Sequence, residues 1–429
     1  MDTTGISDNN SDGPGDSTGG PIDTGGPINN GGPINIGGTP DSAGTLDTTS
    51  TPDTTGTLDE ALERLHASGP ERQGWLSNHA PMAVEALVRH GQAPAVHRWL
   101  DHYRDRLEDM PPTGTPVTAA TWREALGDIG RVADWTGHFG REIAVRPWRD
   151  VLAEWWPRLL PGIAGGATHP VIRVGHAVRT LLTTEETAPR RAELAHGLGY
   201  WAARYRPLPP LVRLPRASSA AAALAAVPPV SERTGGIEQR LRLLTAFPDW
   251  PAEGVPDGTR AAGDGAPEAE GEGVRGGLFG PEAARERLAE LVTAAVHRYA
   301  THGHGEPIML VHAATAPNAV LRTLPALPPE LWAPSLEAAW AASAAVTAAY
   351  APDDPAPYAS TSLAPEEIFA RAAAHGDDHT IKFTDTALDV AAFGGTDDGR
   401  GGNGWDGNGW DGTALAAAVR AVELNPPAL

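Results

Sequence analysis

Thr57–Ser68 reads TLDEALERLHAS. Thr57 stands where a helix N-cap would, and Leu58, Ala61, Leu62 and Leu65 recur at spacings of three and four, the interval that lines up one face of an α-helix. The same period returns in Ala95–Met110 (AVHRWLDHYRDRLEDM), Pro147–Leu160 (PWRDVLAEWWPRLL), Arg190–Tyr205 (RRAELAHGLGYWAARY), Pro281–Gly303 (PEAARERLAELVTAAVHRYATHG) and Pro334–Tyr350 (PSLEAAWAASAAVTAAY). Prolines near the starts of several runs suit the first helical turn, where a missing N–H costs nothing. No series of alternating β-branched residues competes with this pattern. The expected fold is all-α, a single large helical domain over residues 57–429.

Low-complexity sequence marks the edges of that domain. Residues 1–56 repeat a Gly-Gly-Pro-Ile unit, as in GGPIDTGGPINNGGPINIGG, and offer no apolar face, which predicts a disordered tail. Residues 252–278 and 394–412 are rich in glycine and predict flexible insertions. The second twice spells G-x-G-x-x-G, between Gly402 and Gly412, but inside a tandem NGWDG repeat with no strand before it. A dinucleotide site is therefore not expected there.

Composition excludes several classes of function. A net charge of −21 opposes the dense basic surface that nucleic acid requires. No run reaches the roughly 20 apolar residues of a membrane span, and the N-terminus has no signal-peptide pattern, so a cytoplasmic protein is expected. Zero cysteines remove disulfides, thiolate nucleophiles and Cys-ligated metals, leaving any metal to His, carboxylates or something rarer.

Fifteen histidines keep metal binding open, and the chain's only lysine, Lys382, lies beside two of them in His375–Phe383, HGDDHTIKF. On one continuous helix His375, His379 and Lys382 would share a face, although read alone the segment is a polar stripe ended by an acidic turn. His79 falls two residues before Pro81, and His169 directly before Pro170, both at expected helix starts, with the His169 ring expected to face outward. His176 follows His169 on a similar face. His312 sits in an apolar helix expected to break near Pro317, where a hydrogen-bonded core histidine is the simpler reading.

Seven segments taken in order resemble the questin oxidase family over roughly residues 58–390: LSNHAPM, VHRWLDHYRDRLE, WREALGD, WRDVLAEWWPRLLPGIAGGATHPVIRVGHAVR, GLGYWAARY, LVHAATAPNAVLRTL and HGDDHTIKF. The resemblance implies an all-helical oxidoreductase acting on anthraquinone-like aromatic polyketides of secondary metabolism, by Baeyer-Villiger-type oxidation or by ring opening with O2. It further implies a non-haem Fe(II) held by His79, His169, His312, His379 and a carboxylated Lys382, with His379 and Lys382 closest to the chemistry. His176 and His375 stand as reserves for His169 and His379. Trp155, Trp156, Tyr200 and Trp201 are candidates for an apolar pocket or for core packing. The alternatives are an NADPH-dependent, metal-free Baeyer-Villiger-type oxidase and a non-catalytic helical binding protein, the latter favoured if the four histidines prove dispersed.

Overall fold

The computed structural model describes residues 54–251, 280–393 and 409–428. Most of the 1–56 tail, the 252–278 insertion and both G-x-G-x-x-G repeats up to residue 408 lie outside the described residues. Among those described, the helices of ten or more residues are α1 (Thr54–Leu65), α2 (Ala80–Arg89), α3 (Ala93–Tyr103), α4 (Val132–Val145), α5 (Trp148–Leu159), α6 (His169–Thr183) and α7 (Ala188–Ala203). They continue with α8 (Pro281–His302), α9 (His312–Thr323), α10 (Trp332–Tyr350), α11 (Pro365–His375), α12 (Asp378–Phe393) and α13 (Gly412–Leu424). The fold is mostly helical, as the periodicity predicts.

Two small sheets accompany the helices: β1 (Glu71–Arg72) antiparallel to β2 (Leu76–Ser77), and β3 (Val212–Arg216) parallel to β4 (Ala246–Asp249). Among the described residues no helix is long and apolar enough to cross a membrane.

Leu58, Ala61, Leu62 and Leu65 are all buried, so the face read from Thr57–Ser68 is the face that packs. The helix starts earlier than expected, at Thr54, and Thr57 lies within its first turn rather than capping it. The N–H groups of Leu58 to Ala61 need carbonyls four residues back, and Thr54 to Thr57 supply that turn. Prolines do occupy the first turns of α2, α3, α6, α7, α8 and α11.

Pro317 does not break α9, contrary to the sequence expectation. Its missing N–H leaves the Ala313 carbonyl without its intrahelical donor, and Ser343 Oγ on α10 donates to that carbonyl at 2.7 Å. A neighbouring helix thus satisfies what the proline removes. Trp156, Tyr200 and Trp201 are core residues. Trp156 and Trp201 meet edge to face at 5.1 Å, and the Tyr200 hydroxyl is held by Ser77 and Glu71.

Four helices form a closed ring: α2 packs on α6, α6 on α9, α9 on α12, and α12 on α2. The α6–α9 crossing is the tightest approach, because a Cβ added to Gly175 would lie 2.5 Å from the Ala319 Cβ and 2.6 Å from its Cα. Only glycine lets the two backbones come this near. That crossing lies about two turns from the first residues of both helices, His169 and His312, and holds those ends together.

Candidate metal centre

Each helix of the ring delivers its functional side chain at its N-terminal end, and a different local device sets each one. His79 occupies the N-cap position of α2 but makes no capping bond with its side chain. Asn78 does that work instead, its Oδ1 accepting the Ala80 N–H at 3.0 Å, while the His79 N–H donates to the Tyr103 hydroxyl at 3.0 Å. The imidazole is left free to point inward, and it is buried.

His169 opens α6 after three consecutive residues in the left-handed region: Gly166 (φ 56°), Ala167 (φ 55°) and Thr168 (φ 66°). For alanine and threonine that conformation costs about 1–2 kcal/mol each. The turn folds the chain back so that the Gly166 carbonyl accepts from His169 Nδ1 at 2.8 Å. A side chain at Gly166 would press on Pro170 Cδ at 3.2 Å and the Tyr200 hydroxyl at 3.3 Å. The His169 ring is buried and turned toward other imidazoles, not outward as its position before Pro170 suggested.

His312 opens α9 and is fully buried, with its Nδ1 donating to the Met309 carbonyl at 3.0 Å. His379 and Lys382 lie one turn apart in α12. Their helix is not continuous with His375: α11 ends at His375, Gly376 takes a left-handed cap (φ 78°), and α12 begins at Asp378. Asp377 starts the new helix by accepting from the Thr380 N–H and hydroxyl, each at 2.8 Å.

The five sequence candidates converge. The His79 ring stacks on His169 at 4.5 Å between centroids and meets His379 edge-on at 4.4 Å, and His169 meets His312 edge-on at 4.4 Å. One ligand nitrogen each from His79, His169 and His379 lies within 4.8 Å of the others, a grouping able to hold a metal ion. His312 joins through its Nε2, 2.9 Å from His169 Nε2.

The tautomers follow from the acceptors. Asp378 Oδ1 takes the Nδ1–H of both His79 and His379, the latter at 2.9 Å. Carbonyl and carboxylate oxygens only accept, so all four Nδ1 atoms carry a proton, and in His79, His169 and His312, which burial keeps neutral, Nε2 keeps its lone pair. The 2.9 Å contact between His169 and His312 therefore sets lone pair against lone pair, an arrangement that needs a cation to be favourable. Two imidazole nitrogens bound about 2.1 Å from one ion at a right angle would lie about 3.0 Å apart, close to this spacing.

Electrostatics keep the rings unprotonated. Burial lowers His79 to about 3 and holds His169 and His312 well below the ordinary histidine range. The rings sit at the N-terminal ends of four helices, whose positive dipole ends add to this effect. His379 is the exception: burial opposes its charge, but the Asp378 and Asp377 carboxylates raise it. Lys382 is 1% exposed, its Nζ has no hydrogen-bond partner, and burial lowers its pKa to about 8 despite the same two carboxylates. His79 Nε2 is likewise buried without a partner.

The two reserve histidines go elsewhere. His375 Nε2 bonds the Asn425 carbonyl at 3.1 Å, and His176 Nδ1 bonds Glu85 at 2.6 Å. Glu85, His176 and Asp385 also form a grouping with metal-like spacing, but guanidinium groups already supply its positive charge. Arg179 binds Glu85 and reaches Asp385 at 3.0 Å, and Arg322 binds Asp385 at 2.7 Å and Asp389 at 2.8 Å. Asp378 is the residue that sequence reasoning passed over. One carboxylate oxygen orients two of the imidazoles, while its other oxygen receives Arg106 at 3.3 Å. Its only sequence signal was adjacency to His379.

A ring of helices whose starting residues bring four imidazoles and one buried amine together defines a helical protein with a metal-competent, nitrogen-rich centre. The model of the questin oxidase-like family matches residues 76–386. That is well over half of the chain, which therefore belongs to this family, and membership supports an oxidoreductase. All five converging residues lie within the matched span. Nothing among the curated proteins matches the chain.

Proposed function

We propose that the chain is an oxygenase of anthraquinone-like aromatic polyketides, oxidising or ring-opening them with a non-haem Fe(II) held by His79, His169, His312, His379 and a carboxylated Lys382. The observation that carries this reading is the common commitment of four Nδ1 atoms to oxygen acceptors, which leaves the Nε2 lone pairs of His79, His169 and His312 grouped with His379 and an unpartnered Lys382 Nζ. Such a donor set fits a metal of the iron type, which takes imidazole nitrogen together with anionic oxygen.

An ammonium cannot ligate a cation, but a neutral amine reacts with carbon dioxide. The Nζ lone pair forms an N–C bond, one C=O π pair moves onto oxygen, and one proton leaves, giving a carbamate with carboxylate-like oxygens. Lys382 is poised for this because a pKa of about 8 leaves about a quarter of it neutral at pH 7.5, against about 0.1% for an ordinary lysine. The helix N-termini that disfavour an ammonium favour the resulting anion.

Bound iron would supply a site for activating O2 toward an electron-rich ring. The chain's own residues do the rest. Asp378 fixes His79 and His379 in the tautomer that offers Nε2, and the Gly166 and Met309 carbonyls do so for the other pair. Burial of the rings excludes bulk water from their lone pairs. The four histidines are not dispersed, which was the arrangement that would have favoured a non-catalytic protein.

The test is oxygen uptake with a hydroxylated anthraquinone by the purified chain, before and after chelation and after restoring Fe(II). Uptake that stops on chelation and returns with iron is expected. Undiminished turnover in metal-free protein, or turnover that requires only NADPH, would overturn the reading.

A further inference from the structure

Two of the four imidazoles, His79 and His169, stack on each other, so the spacing of their backbones sets the position of two Nε2 lone pairs at once. The segments that precede these two histidines both meet the C-terminal end of α7. Ser77, on β2, lies two residues before His79, and its hydroxyl is 2.8 Å from the Tyr200 hydroxyl. The turn before His169 stands on the other side. A Cβ at Gly166 would lie 3.3 Å from the same Tyr200 hydroxyl, and a Cβ at Gly165 would lie 2.0 Å from the Arg204 carbonyl oxygen. The Gly166 carbonyl is the acceptor that fixes His169 Nδ1.

The direction of each bond is determined. Burial keeps the proton on the Tyr200 phenol, which donates it to Glu71 Oε1 at 2.9 Å, since a carboxylate only accepts. Ser77 is then the donor in its contact with Tyr200. Packing does not ask for this hydroxyl. Tyr200 is 1% exposed, and phenylalanine would fill nearly the same space without burying a polar group. Glu71 does not depend on it either, because Arg204 binds both carboxylate oxygens.

What the hydroxyl adds is geometric. Helix α7 packs on α6, which His169 opens, so the Ser77 bond ties the chain leading into His79 to the same frame that carries His169. We infer that Tyr200 is a positioning residue for the metal centre, its hydroxyl setting the spacing of the His79–His169 stack through the bond to Ser77 and the close approach to Gly166. The inference rests on the proposed metal site and adds to it a residue that hydrogen-bonds to neither imidazole.

The test is anaerobic titration of Fe(II) into the metal-stripped full chain, in bicarbonate buffer and against a competing chelator. Tyr200→Phe and Ser77→Ala should each weaken Fe(II) binding by about 10-fold, and the double variant should bind no more weakly than Tyr200→Phe alone, because both changes break the same bond. The visible absorption of the Co(II)-loaded protein should shift in these variants. Ser335→Ala is the control. Its hydroxyl also makes two buried bonds, from Trp156 Nε1 at 2.8 Å and to the Leu331 carbonyl at 2.6 Å, but on α10, outside the four-helix ring. That change should lower the melting temperature and leave both the Fe(II) affinity and the Co(II) spectrum unaltered. Fe(II) affinity unchanged in Tyr200→Phe, or weakened equally in Ser335→Ala, would overturn the inference alone. No Fe(II) binding by the wild type would overturn it together with the metal site.

Discussion

The same four helices carry two polar layers that behave in opposite ways. At their N-terminal ends α2, α6, α9 and α12 contribute His79, His169, His312 and the His379–Lys382 pair. Some two to three turns further on they contribute Glu85, Arg179, Arg322 and Asp385. In the second layer every buried carboxylate meets a guanidinium, so the charges close among themselves. In the first layer the buried Lys382 Nζ and His79 Nε2 have no partner, and two imidazole lone pairs face each other. Burial of polar atoms is costly unless they are satisfied. A fold that satisfies one layer so completely and leaves the other with unpartnered nitrogens supports the proposal that the histidine layer is a ligand site, while the charge layer serves stability.

The largest expected contrast comes from removing one member of each layer. Arg179→Met leaves Glu85 and Asp385 buried without their shared cation and should cost about 3–5 kcal/mol in urea unfolding. Lys382→Met, measured on metal-stripped protein, should cost less than about 1 kcal/mol, because Nζ makes no hydrogen bond to lose. Equal costs for the two changes would erase the distinction between the layers.

Acid should separate them next. Burial alone would raise Glu85, but Arg179 and His176 outweigh it and hold the carboxylate at about 2, below the ordinary glutamate range. A folded pKa below the unfolded one stabilises above about pH 4.5, and that contribution, about 3 kcal/mol, is lost as pH falls through 2. Unfolding free energy measured from pH 6 to pH 2 should fall over this window, and Glu85→Gln should flatten that part of the curve.

Smaller effects sharpen the first layer. Asp378→Asn removes the charge that orients His79 and His379 and should weaken metal affinity by about 10-fold to 100-fold, with secondary structure unchanged by circular dichroism. Ala167→Gly relieves one left-handed residue before His169 and should raise stability by up to about 1 kcal/mol, read as a higher melting temperature.

Much of the fold was legible because helical spacing reports directly on which side chains are buried, as Leu58, Ala61, Leu62 and Leu65 illustrate. Helix boundaries were less so. Thr57 looked like a cap because capping chemistry is local, while the helix start answers to packing. Pro317 looked like a break because the donor that repairs it, Ser343, is distant in sequence.

The histidines of the centre could be nominated through family resemblance, but spacing could not say which rings meet. His169 and His176 are seven residues apart on one helix, and the Glu85 carboxylate is what takes His176 into the charge layer. The role of Asp378 was invisible because it depends on His79, 299 residues away in the chain. Three successive left-handed residues were equally hidden, since alanine and threonine do not advertise that conformation.

In the proposed centre Lys382, once carboxylated, completes a metal site with the four histidines. Iron per chain, measured side by side in freshly purified wild type and Lys382→Arg, tests it most directly, because arginine keeps the positive charge and cannot form a carbamate. About one iron per wild-type chain and almost none in a folded Lys382→Arg protein is the predicted result. Equal iron in both proteins would contradict it.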